Sequence, residues 1–212
     1  MLSFNQLLKV ILVIFPISES LADETLASQS LSELLGTVNS LSAEFIQTLS
    51  DANGNIFETS YGSFSIAQPN KVRWVVTKPM PQQIISNGEI LWIFDPDLEQ
   101  VVIQPYDSDV LVSPASLFSA NSQQLSDDFD ISYKPSDSVS DSYYLLPKSS
   151  SALYQSLRID FQNRKPVSFE FIDAMQQSTR IDLGDVIVNP TLADGLFVFE
   201  VPAEIDVINH VK

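Results

Sequence analysis

Few residues of this 212-residue chain are of a kind that makes or breaks covalent bonds, and their spacing suits such work poorly. The only histidine, His210, stands close to the C-terminal Lys212. A Ser-His-Asp triad or a histidine metal centre would therefore have to be assembled on the tail. There is no cysteine, which removes thiolate nucleophiles, thiolate zinc sites and a disulfide framework together. Asp95, Asp97 and Glu99 alternate like calcium ligands but lack the central glycine and terminal glutamate of a binding loop, so they predict a solvated turn. Asp127, Asp128 and Asp130 predict the charged start of a strand, because nothing places a second acid across a cleft from them. The six glycines are scattered singly and form no phosphate loop. A secreted hydrolase working with carboxylates is thus a distant alternative, and the inventory calls for no metal and no cofactor.

Charge narrows the partners. With 11 Lys+Arg against 27 Asp+Glu, a formal charge of −16, the chain is no sequence-independent nucleic-acid binder and has no basic patch for an anionic bilayer. An apolar content of 44% with 10% aromatic residues supports a folded core rather than disorder.

What the elements must position, then, is apolar surface. Residues 1–22 read as a secretory leader: Lys9 precedes the apolar run Val10 to Ile17, and Ser20, Leu21 and Ala22 place small residues at the cleavage positions. The run is shorter than the ~20 apolar residues that span a bilayer. Residues 23–212 then form one domain. Its opening stretch, Asp23 to Asn39, carries Leu26, Leu31, Leu34, Leu35 and Val38 at helical spacing. Beyond it the period falls to two, and short β-branched or aromatic runs extend to Phe197–Val201, interrupted by short helical segments at Ser113–Ser119 and Ser122–Leu125. Asn53-Gly54 and Asn87-Gly88 predict type I′ hairpins. About eleven strands with a few helices make a mainly β protein, one large antiparallel sheet or barrel.

Alternation gives the strands a face. Leu157, Ile159 and Phe161 oppose Arg158 and Asp160; Val167, Phe169 and Phe171 oppose Ser168 and Glu170; Phe197, Phe199 and Val201 oppose Val198 and Glu200. Phe45, Phe64, Val72, Trp74, Val76, Ile85 and Trp92 are expected on the same face. A set this bulky either fills a core or lines a cavity, since small barrels are packed solid and slightly wider ones hold a ligand.

Between Tyr61 and Val101 the text becomes distinctive: YGSFSI (61–66), QPNKVRW (68–74), then QQIISNGEILWIFDPDLEQV (82–101). These segments, with SAEFIQ (42–47) and the closing LFVFEVPAEIDVI (196–208), resemble the LolA family of periplasmic carriers of outer-membrane lipoproteins. The resemblance implies an unclosed antiparallel half-barrel with a helical lid over a hydrophobic cavity. It implies a monomer in the periplasm that takes lipidated outer-membrane lipoproteins from the inner-membrane ABC transporter LolCDE and passes them to the receptor LolB. On this reading the apolar face named above binds acyl chains, and Leu31, Leu34, Leu35, Leu117 and Phe118 belong to the lid. The family's lid-latching Arg is replaced by Gln68, which can bond only without charge assistance, and Arg73 is the nearby cation that could stand in. The receptor is itself lipid-anchored, and no Cys follows Ala22 here; lipoprotein-sensing regulators of similar fold carry a second domain for which this chain has little room.

Overall fold

The computed structural model describes residues 18–106, 122–135, 139–150 and 152–211. The expected leader falls on residues 1–17, outside these, and on Ser18–Ala22, which begin the first helix; Leu117, Phe118 and the helix expected at Ser113–Ser119 also lie outside the described residues.

Helix α1 (Ser18–Gly36) leads into β1 (Ser40–Ser50), β2 (Ile56–Ala67), β3 (Lys71–Lys78), β4 (Gln82–Asn87), β5 (Ile90–Asp95) and β6 (Gln100–Pro105). After α2 (Ser122–Asp128) come β7 (Phe129–Pro135), β8 (Ser140–Pro147), β9 (Tyr154–Gln162), β10 (Lys165–Asp173) and β11 (Ser178–Val188). A 3-10 turn at Asp194–Phe197 and β12 (Asp206–Asn209) end the chain. All twelve strands form one sheet in the order β12-β6-β5-β4-β3-β2-β1-β11-β10-β9-β8-β7. Two antiparallel meanders meet where β1 pairs with β11, and the terminal strands β12 and β7 do not meet, so the sheet is unclosed. No described helix is long and apolar enough to cross a membrane.

The apolar stripe of α1 explains its position. Leu31, Leu34 and Leu35 are buried in the main core with Phe45, Phe64, Val72, Leu157, Ile159, Phe161 and Phe169, which defines an inner face, the one that α1 covers. A second cluster lies on the outer face, beneath the C-terminal segment: Ile85, Trp92 and Val101 pack with Phe94, Phe199 and Ile205. Strand β3 serves both sides. Val72, Trp74 and Val76 point inward, while Lys71 and Arg73 point outward and hold the 3-10 turn, Lys71 through Asp194 at 2.6 Å and Arg73 through the Leu196 carbonyl at 3.4 Å.

Two local expectations need correction. Phe197–Val201 is not a strand: Phe197 closes the 3-10 turn and Phe199 packs on the second cluster, while the last strand lies further on and runs parallel to β6. Of the side expected inward, Phe197 is buried and Phe199 half-buried, while Val201 is exposed. The Asn-Gly pairs are not type I′ turns either, since only Gly54 and Gly88 take positive φ. In each the asparagine or a nearby aspartate caps the turn instead: Asp51 accepts from the Asn53 and Asn55 amides, and Asn87 from those of Glu89 and Ile90.

Candidate functional site

The inner face is built around a stacked aromatic trio. The Phe45 and Trp74 rings lie 4.0 Å apart at 23°, and Phe64 stacks on Trp74 at 5.5 Å. Gly62 makes this possible. A Cβ there would sit 2.0 Å from the Val75 carbonyl oxygen and within 2.8 Å of two Phe45 ring atoms, so only glycine lets the ring lie against β2.

Pairing extends the surface. Phe64, Trp74, Ile84, Ile93 and Val102 are successive register partners, which makes one apolar row across β2 to β6 on the inner face. Trp74, Ile84, Ile93 and Val102 are all half-buried. On the other side of β1, Phe45 faces Leu183, Phe169 lies between Ile181 and Ile159, and Phe171 faces Leu157. Ten of the twelve expected residues therefore share this face: Phe45, Phe64, Val72, Trp74, Val76, Leu157, Ile159, Phe161, Phe169 and Phe171.

Ile85 and Trp92 do not. Ile85 pairs with Arg73 and with Trp92, and both Ile85 and Trp92 belong to the outer cluster. The inward positions are Ile84, Leu91 and Ile93, one residue away. Strands β4 and β5 are apolar on both sides, so neither has an alternation to read, and a one-residue slip exchanges the faces.

The cover is tied down by hydrogen bonds between neutral groups. Ser30 shares a bond of 2.7 Å with the Tyr143 hydroxyl, and Ser126 donates to Ser28 at 2.9 Å. Burial pushes the Tyr143 hydroxyl above its ordinary pKa, so it stays protonated. Gln68 Nε2 donates to the Val38 carbonyl at 3.0 Å, where the chain leaves α1 for β1. Arg73 does not reach α1; it points to the outer face, where it bonds Gln83 and Leu196. One ion pair touches α1 among the described residues, Lys148 with Glu24 at 3.7 Å.

The outer face is polar over β8 to β11. Asp160 accepts from Ser142, Ser168 and Arg158 at 2.7 to 2.8 Å. Burial would raise its carboxyl pKa, but these three donors outweigh that and hold it below the usual range. Arg180 bonds Asp182 in the same way. Among the described residues no three His, Cys, Asp or Glu side chains are grouped to hold a metal ion. Asp95 accepts from the amides of Asp97 and Leu98, the solvated turn expected there, and Asp127 and Asp128 end α2 rather than start a strand.

Comparison with known proteins agrees with this geometry. The family model described as outer membrane lipoprotein carrier protein LolA matches residues 36–200. The outer-membrane lipoprotein carrier protein of Pseudomonas aeruginosa PAO1 is 38% identical over 189 residues, covering 89% of this chain and 90% of that protein. The protein of the same description from Azotobacter vinelandii is 34% identical over 198 residues, covering 93% and 95%. A crystal structure of an uncharacterized conserved protein from Thermus thermophilus has the same fold at 13% identity, with a TM-score of 0.53 over 89% of this chain and 99% of that one. With the family model matching most of its length, the chain belongs to the LolA family of outer membrane lipoprotein carrier proteins.

Proposed function

We propose that the inner face holds the acyl chains of outer-membrane lipoproteins while the protein carries them through the periplasm. The observation that carries this reading is the unbroken apolar row from Phe64 to Val102, with Trp74 and the three residues beyond it only half-buried. An acyl chain gains about 0.8 kcal/mol per buried methylene, so a multiply acylated anchor cannot cross water unless something replaces the bilayer around it. A carrier of this kind needs no nucleophile, metal or nucleotide; it is a transport protein, not an enzyme.

In this reading residues 1–22 are removed on export and the mature chain starts at Asp23. It works as a monomer, receives cargo from LolCDE at the inner membrane and delivers it to LolB at the outer one. The helix α1 is the lid, with Leu31, Leu34 and Leu35 against the inner face and Gln68 holding its exit. Native mass spectrometry of protein recovered from its own periplasm tests the proposal. A bound lipidated polypeptide is the expected species. Protein that is always empty, in cells actively exporting lipoproteins, would refute it.

A further inference from the structure

Strand β7 is one edge of the sheet among the described residues, and beside it runs a groove of about 800 Å³ toward α1. Asp130, Ile131, Ser132 and Tyr133 all line it. Side chains of consecutive strand residues point to opposite faces, so four in a row can border one groove only if the edge of the strand itself faces it. The groove wall is therefore the outer row of β7 backbone N–H and C=O groups, which the sheet leaves without a neighbouring strand. Its opposite wall is α1, and its floor includes Ala27 and Ile131, both members of the main core. The groove thus rests on the same core that α1 covers. Exposed Leu26 and Leu146 line its opening.

We infer that this groove receives the extended peptide that follows the acylated residue of the cargo, as an added strand on β7. The inference rests on the carrier reading above. A carrier of many lipoproteins must recognise what they share, and beyond the acyl anchor that is polypeptide backbone. Strand addition reads main-chain hydrogen bonds and tolerates any side chain that the groove does not repel. Charge sets that tolerance. Glu24 and Asp130 flank the groove with Lys148 between them at 3.7 and 3.4 Å, and the whole chain carries −16, so an acidic tail is disfavoured and an uncharged or basic one accepted.

Three probes test this on the intact mature chain: a triacylated cysteine amide with no tail, the same anchor with a five-residue uncharged tail, and that tail with alternate backbone nitrogens methylated. Affinity and amide hydrogen exchange over residues 129–135 are measured with each. The tailed anchor should slow exchange in that segment about tenfold relative to the tailless one and bind about tenfold tighter than its methylated analogue, the effect of losing two or so backbone hydrogen bonds. Equal affinity for the two tails, with no added protection of β7 while the anchor is bound, overturns the inference and leaves the carrier reading standing. If the tailless anchor does not bind at all, the carrier reading fails and takes this inference with it.

Discussion

Replacing Gly62 by alanine tests how the aromatic trio is seated. The added methyl would lie 2.0 Å from the Val75 carbonyl oxygen, and real Cβ contacts are not found below 3.0 Å, so β2 and β3 must part by about 1 Å at this point. The Phe45 ring, 2.6 Å from the same methyl, must leave its stack on Trp74. Overpacking of this kind costs about 1–3 kcal/mol. A weakened backbone hydrogen bond adds about 1 kcal/mol, and loss of ring stacking about 0.5–1.5 kcal/mol. A total of about 4 kcal/mol is a large part of the roughly 5–15 kcal/mol that holds a typical domain together. With a urea slope of about 2 kcal/mol per molar, the unfolding midpoint should fall by about 2 M at unchanged slope. The double variant with Phe45→Ala separates the contributions: it removes the ring clash but not the clash with the carbonyl, so Gly62→Ala should still cost at least about 2 kcal/mol in that background. A midpoint within about 0.3 M of wild type for the single variant would show that the strands yield freely, and the reasoning would be wrong.

The two tryptophans, Trp74 inside and Trp92 outside, report on opposite faces. Trp92→Phe should keep the emission shift produced by acyl-chain binding and Trp74→Phe should lose it; the reverse pattern would mean that ligand binds under the C-terminal segment. Gln68→Arg should strengthen the bond to the Val38 carbonyl by charge assistance and slow lipoprotein handover to acceptor membranes about fivefold, so an equal or faster rate would show that this position is no latch. Asp160→Ala should cost about 2 kcal/mol at neutral pH by leaving Ser142, Ser168 and Arg158 without their acceptor. Because folding depresses the Asp160 pKa below its ordinary 3.8, that stabilisation is complete above pH 3.8 and is lost as pH falls through the folded value. The gap between wild type and variant in urea midpoint should therefore close in acid, and a constant gap would contradict the assignment.

Strands with one polar side were legible in the sequence. Leu157 to Phe161 and Val167 to Phe171 alternate cleanly in sequence, and the structure places Leu157, Ile159, Phe161, Phe169 and Phe171 inside, because the outer positions carry the Asp160 and Arg180 networks; Val167 falls out of step at a register shift between Pro166 and Ser168 and lies with Ser142, Arg158 and Asp160. Where both sides are covered the signal vanished, as at Ile84-Ile85 and Leu91 to Phe94, whose outer residues answer to a segment far along the chain. Turn chemistry misled in a similar way. Among the described residues, the pair in which both central residues take positive φ is Asn163-Arg164, between β9 and β10, where no glycine announced it. The β7 edge and its groove left no motif, since an unpaired backbone is a property of strand order and not of residue type.

The C-terminal segment backs only part of the sheet. Over β3 to β6 the strands are sandwiched, with Phe199 and Ile205 behind them and Lys71 and Arg73 acting as rivets to the 3-10 turn. From β1 through β11 to β8 the outer side shows Ile46, Ile187 and charged ladders to water. A plate laminated over one half bends in the other. A force that spreads the inner face will therefore bend the wing whose far edge is β7, while the laminated wing keeps its curvature.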